Sequence, residues 1–211
     1  MTVQLSIDEV RRLYNQADSV HDFDHILRVL ALAEHIAQIE GADWRILRPA
    51  VLLHDWGRGA GTGNHAAEAA RRAEALLLER GLPPERVAAV CHAILAHRFR
   101  TPPQPQTLEA KVLFDADKLD AIGAIGIARA FAYGGAHNQR LWAPRQNVDV
   151  VRWEREGDDA ANHTPVHEFV VKLARIHTQL YTEEGRRIAA ARHRYMVQFF
   201  DRLDAEVRGE A

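Results

Sequence analysis

Cysteine is almost absent from the 211-residue sequence: Cys91 is the only one, so no internal disulfide and no cysteine-based zinc cluster can form. No apolar run approaches the ~20 residues that are needed to span a bilayer. The first ten residues carry acidic side chains and lack the basic start and apolar core of a signal peptide. With a net charge of -2, the chain also lacks the basic excess of a dedicated nucleic-acid binder. We therefore expect a cytoplasmic protein that binds neither nucleic acid nor a membrane.

Helical periodicity is what the chain has in quantity. Hydrophobic residues make up 47% of it and charged residues 27%, which is typical of a globular protein. Apolar residues recur at three-and-four spacing along most of the chain, without the alternation of strands and without an internal repeat. We expect a single all-α domain over residues 1–211, with a core at about 5–133, an irregular loop at about 134–165 and C-terminal helices at about 166–207.

The predicted helices follow from this spacing and from capping residues. Pro49 would either kink the third helix or mark a later start. Apolar periodicity continues through Gly123 and Gly126, so we expect these glycines to permit close helix packing rather than to form a phosphate-binding turn. The expected helices are a short one capped by Ser6, then 24–40, 44–56, Asn64 or His65 to 80, 84–97, 107–131, 166–181 and 183–207.

Histidines, of which there are 12, point to the chemistry. His54 and Asp55 end the apolar segment AVLLHD, where a buried polar pair is costly unless something compensates it. A divalent metal would do so, but two adjacent residues cannot complete its coordination shell. Further candidates are His25 in HDFDHILRV and Asp117 in KVLFDADKLDAIG. Each of them alone has an ordinary explanation, as a helix cap, a surface residue or a solvated acid.

Together, the segments HDFDHILRV, LLHDWG and FDADKLDAIGAIGIARAF resemble the HD-domain superfamily of metal-dependent phosphohydrolases, and its small single-domain bacterial members most. The segments CHAILAH and HEFVVKLARIHTQLYTEEGRRIAAAR extend the resemblance over about residues 5–207. It implies an all-helical HD-domain bundle that binds one divalent metal through His25, His54, Asp55 and Asp117. Asp117 is selected because the family's ligand precedes a basic residue and Leu. We expect manganese, with Mg, Co, Ni, Fe or Zn as alternatives.

Catalytic and substrate-binding roles are expected for residues around this metal, and the resemblance supports the role of His65. Asp55 is expected to orient or deprotonate the attacking water, and His65 to assist catalysis or to contact phosphate. The alternative for His65 is an ordinary helix-start residue, and for Arg28 an ordinary surface ion pair. A doubled His-His pattern is absent, which favours one metal over two. The candidates for substrate binding are Arg28, His92, His97, Lys118 and Asp120.

Hydrolysis of a small phosphorylated metabolite is the function that these features predict, with nucleotides as the favoured substrates. The protein would be either a pyrophosphohydrolase or a phosphatase. A non-catalytic, metal-containing nucleotide sensor and an all-helical scaffold with structural histidines are the alternatives. A homodimer is compatible with the sequence. We expect the histidines without comparable context at the surface or in an interface, namely His137, His163, His167, His177 and His193.

Overall fold

Helices account for the regular secondary structure of this protein. The structure, a computed structural model, describes residues 5–14, 23–57, 65–98, 102–151, 153 and 163–210. Within these ranges there is no strand, so the prediction of an all-α fold is confirmed. None of the helices in the described ranges is both long and apolar enough to cross a bilayer.

The chain forms two compact units. The first comprises Met1–Asp117 together with Tyr181–Gly185, and the second comprises Lys118–Leu180 together with Arg186–Ala211. The helices are α1 (Ile7–Leu13), α2 (Phe23–Glu40), α3 (Trp44–Leu53), α4 (His65–Glu79), α5 (Pro84–Ala96), α6 (Leu108–Asp120), α7 (Gly123–Ala136), α8 (Pro165–Glu168, a π-helical turn Phe169–Leu173, and Ala174–Ile176) and α9 (Glu183–Val207).

Capping side chains set the start of the early helices. The Ser6 hydroxyl accepts a hydrogen bond from the backbone N–H of Glu9 at 3.2 Å, as expected for the cap of α1. The Asp43 carboxylate accepts one from the N–H of Arg45 at 2.8 Å, which starts α3 at Trp44. Pro49 therefore lies inside α3 and does not mark a later start. Asn64, the other candidate for the start of α4, lies outside the described residues.

α3 is the central helix of the first unit. It packs against α2 and α5, and α4 packs against α5. Leu47, Val51, Leu52 and Leu53 of α3 are completely buried. Burying a leucine side chain contributes about 1.5–3 kcal/mol, so α3 has a strong preference for this interior position. Its C-terminal end, which carries the His-Asp pair, is consequently buried as well.

The Asp115 side chain attaches a distant segment to the first unit. It is completely buried, and its carboxylate accepts hydrogen bonds from the backbone N–H groups of Tyr181 and Thr182 at 2.9 and 2.7 Å. The Thr182 hydroxyl donates a third bond at 2.6 Å. Three donors compensate the burial of this carboxylate. Asp115 is thus the anchor of Tyr181–Gly185 in this unit.

One of the predicted helices is wrong. The expected helix at 107–131 is two helices, because α6 ends at Asp120 and α7 begins at Gly123. Gly123 has a φ of +78°, in the left-handed region that favours glycine. A Cβ at Gly123 would also lie 3.0 Å from the Arg192 side chain. At Gly126, a Cβ would collide with the carbonyl oxygen of Ala121 in the turn before α7, so this glycine permits a close approach of the backbone to that turn.

Two further expectations in the second unit need correction. Gly134 and Gly135 do not begin the irregular loop predicted at about 134–165, because α7 continues to Ala136. His163 is buried rather than at the surface, and its Nε2 lies 3.2 Å from a carboxylate oxygen of Glu168. The local apolar pattern is weak in this region, so it did not indicate either feature.

We predict that Gly185→Ala destabilises the protein. A Cβ at Gly185 would lie 2.5 Å from Asp115 Oδ2 and 2.6 Å from Thr182 Oγ1, so the carboxylate and its donors would have to move. We expect a loss of about 1–3 kcal/mol in the free energy of unfolding, measured by urea denaturation. Gly135→Ala in α7 is the control, since a Cβ there meets nothing within 4 Å. Equal stability of the two variants would contradict this packing.

Candidate metal centre

His54 and Asp55 lie in the turn that follows α3. His54 is completely buried, and its Nδ1 lies 2.8 Å from the carbonyl oxygen of Val51. A carbonyl can only accept, so Nδ1 carries a proton and donates; in the neutral ring, Nε2 then has the lone pair that a metal could bind. The N–H of Trp56 donates to the carbonyl of Leu53 at 3.1 Å, a tighter turn than that of an α-helix. The helix end thereby orients the His54 ring.

The four predicted ligands come together in the first unit, from α2, the turn after α3, and α6. His25 Nε2 lies 3.8 Å from Asp55 Oδ2 and 3.4 Å from Asp117 Oδ1. His54 Nε2 lies 3.9 Å from each of the same two oxygens. His25 and Asp55 are buried, and the Asp117 side chain is 15% exposed. Residues far apart in the sequence thus place two ring nitrogens within 3.9 Å of two carboxylates.

This cluster fits a divalent metal. Ligand atoms held about 2.1 Å from one ion lie about 3–4.2 Å from one another, and the distances of 3.4–3.9 Å fall in that range. Among the residues that the structure describes, the buried Nε2 of His54 has no hydrogen-bond partner. A buried polar atom without a partner is costly, and a metal ion would compensate it. Imidazole nitrogen and carboxylate oxygen together suit Mn, Fe, Co, Ni or Zn.

Two more histidines face the other oxygen of Asp55. His65 Nε2, at the start of α4, lies 3.6 Å from Asp55 Oδ1, and His97 Nε2, at the end of α5, lies 3.8 Å from it. His97 is buried, and its Nδ1 lies 2.5 Å from the carbonyl oxygen of Ile94. This contact orients the ring so that Nε2 faces Asp55, as the contact with Val51 does for His54. Asp55, His65 and His97 form a second group with metal-compatible spacing. The two sides of the Asp55 carboxylate therefore meet two different pairs of histidines.

The remaining candidates for substrate binding are Arg28, His92, Lys118 and Asp120. Arg28 lies one turn after His25 on α2 and is partly buried. His92 accepts a hydrogen bond from the N–H of Gln106 at 3.2 Å. Lys118 and Asp120 belong to the second unit. Asp120 is buried there, and a carboxylate oxygen lies 3.3 Å from Arg129. The substrate-binding roles of these residues stay predictions.

Sequence reasoning missed one neighbour of the His-Asp turn. Tyr14, at the end of α1, donates a hydrogen bond to the carbonyl of Leu52 at 2.8 Å. Burial, and secondarily the charge of Asp55, raise the pKa of the Tyr14 phenol well above its usual value, so its hydroxyl stays protonated. No local pattern points to this contact, because it joins residues 38 positions apart.

Comparison with known proteins places this geometry in a family. The family model of the HD domain matches residues 22–122. An HD-superfamily hydrolase from Bacillus thuringiensis is 30% identical, with a TM-score of 0.75 over 96% of this chain and 94% of that one. This chain belongs to the HD superfamily of hydrolases. The residues matched by the family model include all four predicted metal ligands of this superfamily member.

Another relative of this HD-superfamily chain is the uncharacterized protein YpgQ of Bacillus subtilis. It is 31% identical over 208 residues, which cover 95% of this chain and 91% of YpgQ. The crystal structure of YpgQ in complex with ADP has a TM-score of 0.72 and covers 98% of this chain and 100% of that one. The similarity extends well beyond the HD domain that the family model matches.

We predict that Mn²⁺ raises the thermal stability of this HD-superfamily protein. A ligand at about 100 times its Kd stabilises a protein by about 2.7 kcal/mol, which corresponds to a rise in Tm of about 5–10 °C for a chain of this size. Differential scanning calorimetry with Mn²⁺ and then with EDTA measures it. His54→Ala should abolish the shift. His92→Ala should retain it, because that ring contacts Gln106 instead. A shift retained in His54→Ala would exclude this cluster.

Proposed function

We propose that the protein is a metal-dependent phosphohydrolase that acts on a small phosphorylated metabolite, with nucleotides as the favoured substrates. The observation that carries this proposal is the position of the Asp55 carboxylate. One oxygen faces His25 and His54 at 3.8 and 3.9 Å, and the other faces His65 and His97 at 3.6 and 3.8 Å. Asp55 Oδ2 can thus bind the metal while Oδ1 accepts a proton from the attacking water.

One divalent ion, with manganese as the favoured one, would be held by His25, His54, Asp55 and Asp117. Mg, Co, Ni, Fe and Zn are alternatives, because two imidazoles and two carboxylates accept several ions. When bound, such an ion lowers the pKa of a coordinated water and offsets the charge that develops on a phosphoryl group. Four protein ligands leave room in an octahedral shell for a water and a phosphate oxygen.

Asp55 Oδ1 and His65 Nε2 would handle the proton. They lie 3.6 Å apart, so a proton that Asp55 accepts from water could pass to the imidazole with a small movement. The His65 side chain is 25% exposed, which lets it exchange that proton with solvent. His97 is only 4% exposed and its Nε2 lies 3.8 Å from the same oxygen. His97 would therefore orient the carboxylate rather than deliver protons.

The choice of a nucleotide rests on the relative YpgQ, which has been crystallised in complex with ADP. Arg28 is the favoured phosphate-binding residue, since it lies one turn from His25 on α2. Lys118 follows the ligand Asp117 directly and is the second candidate. The enzyme would release either pyrophosphate or a single phosphate, and measuring both products distinguishes the two reactions. The expectation of a cytoplasmic enzyme stays a prediction.

We predict that Asp55→Ala removes both metal and activity while helicity stays. The carboxylate contributes a metal ligand and the proton acceptor, whereas the helices depend on apolar contacts. A screen of nucleotides and sugar phosphates for phosphate and pyrophosphate release, with Mn²⁺, Co²⁺, Mg²⁺ and Ni²⁺ separately, measures activity. Asp8→Ala, an exposed acid on α1, is the control. Normal Mn²⁺-dependent turnover in Asp55→Ala would refute the proposal.

The wild type also distinguishes the alternative function. Stoichiometric metal and tight nucleotide binding without turnover would favour a non-catalytic nucleotide sensor.

We predict a different result for His65→Ala: kcat falls by about a hundredfold or more, while the Kd for Mn²⁺ changes little. His65 Nε2 lies 3.6 Å from the Asp55 oxygen that faces away from His25 and His54. Steady-state kinetics and elemental analysis of the purified protein measure the two effects. A fall from two bound ions to one in His65→Ala would instead place a second ion between Asp55, His65 and His97.

A further inference from the structure

Tyr14, at the end of α1, is hydrogen-bonded next to the turn that contains His54 and Asp55. Its hydroxyl donates to the carbonyl oxygen of Leu52 at 2.8 Å. Leu52 lies two residues before His54 and three before Asp55. The hydroxyl is therefore bonded to the backbone that leads directly into the turn containing the buried imidazole.

The need for this hydroxyl follows from the way α3 ends. The last carbonyls of a helix lack intrahelical partners. The N–H of Trp56, which would reach the carbonyl of Leu52 in a continued α-helix, donates to Leu53 at 3.1 Å instead. The carbonyl of Leu52 is thus left to the Tyr14 hydroxyl. The phenol hydroxyl thus replaces the backbone N–H that would bond to this carbonyl if the helix continued past His54 and Asp55.

The ring of Tyr14 also contacts the helix that carries His25. It packs edge-on against Phe23, with ring centroids 5.5 Å apart and an interplanar angle of 64°. Phe23 is buried and begins α2 two residues before His25. The Arg11 guanidinium covers the Phe23 ring at 4.5 Å from its centroid, which adds a cation–π contact. Tyr14 consequently contacts two segments that supply candidate ligands.

We propose that Tyr14 is a positioning residue, which holds the His54–Asp55 turn at a fixed place relative to His25 and so sets the affinity of the site for divalent metal. This inference rests on the proposed function in one respect, the role of His25, His54 and Asp55 as ligands. Partners that orient ligands are typically worth about 10–100-fold in metal affinity. Tyr14 does so through the backbone and touches neither metal nor substrate.

Tyr14→Phe isolates the hydroxyl, because the ring and its packing on Phe23 remain. Tyr181→Phe is a closely matched control in the same unit. The Tyr181 hydroxyl donates to Gln104 at 2.7 Å, and its ring packs edge-on against Phe114 with centroids 5.0 Å apart. Each substitution therefore removes one hydrogen-bonded phenol hydroxyl beside a phenylalanine, and only that of Tyr14 is bonded to the backbone leading into the His54–Asp55 turn.

The experiment is isothermal titration of the full-length wild type and both variants with Mn²⁺, together with circular dichroism and kcat at saturating Mn²⁺. For Tyr14→Phe we expect the Kd for Mn²⁺ to rise about tenfold, with native helicity and with kcat largely restored at saturating Mn²⁺. For Tyr181→Phe we expect the wild-type Kd. An unchanged Kd in Tyr14→Phe, or an equal rise in both variants, would overturn the inference.

The same experiment separates this inference from the proposed function. A wild type that binds Mn²⁺ but hydrolyses no phosphorylated compound would refute the proposed function, and a tenfold difference in Kd between Tyr14→Phe and the wild type would still support the role of Tyr14. Turnover in the wild type with an unchanged Kd in Tyr14→Phe would refute only the role of Tyr14. A wild type that binds no divalent ion would overturn both.

Discussion

The burial of the Asp55 carboxylate is the constraint on which the first unit depends. Its side chain is 5% exposed and lies within 3.9 Å of ring nitrogens from four histidines. Removing a carboxylate from water costs several kcal/mol even after relaxation of the protein. Neutral imidazoles offset only part of that cost, since their dipoles are weak compared with a full charge. A divalent cation would supply the remaining compensation, because the apolar packing of α3 holds the carboxylate in this interior position.

Helix ends supply the rigidity that such a site needs. His54 and His97 are the C-terminal caps of α3 and α5, and the Nδ1 of each ring lies close to the carbonyl three residues earlier, that of Val51 or of Ile94. Each ring thus satisfies a carbonyl that the helix leaves open, and its Nε2 points away from the helix. His177 in the second unit has the same relation to Ala174. The contact between a histidine ring and the carbonyl three residues earlier is therefore a local property of a helix end. A metal-compatible cluster requires, in addition, carboxylates near the Nε2 atom of the ring.

The elements that could be predicted are those with a local signal. α2 and α9 have nearly the expected bounds because their apolar faces are continuous, and the four candidate ligands followed from motif order. The break before Gly123 could not be predicted, since Ile122 is buried and keeps the apolar period unbroken. The partners of Asp115 lie 66 and 67 positions away. His92 and His97 are about 140° apart on a helix, so only one faces Asp55, and the sequence alone could not select it.

Charge balance shows why the metal-compatible cluster alone does not make a phosphate site. Asp55 and Asp117 contribute two negative charges if both are ionised, and a His54 ring that binds a metal through Nε2 adds no charge. One divalent cation would neutralise the two carboxylates and leave no net charge to attract a phosphoryl group. Binding of a phosphorylated substrate then requires further cations. Arg28, one turn from His25 on α2, carries a permanent charge, whereas His65 can supply one only when protonated. In the proposed phosphohydrolase, selectivity for phosphorylated substrates would accordingly reside in the cations around the cluster, and the proposed ligands would determine which metal is bound.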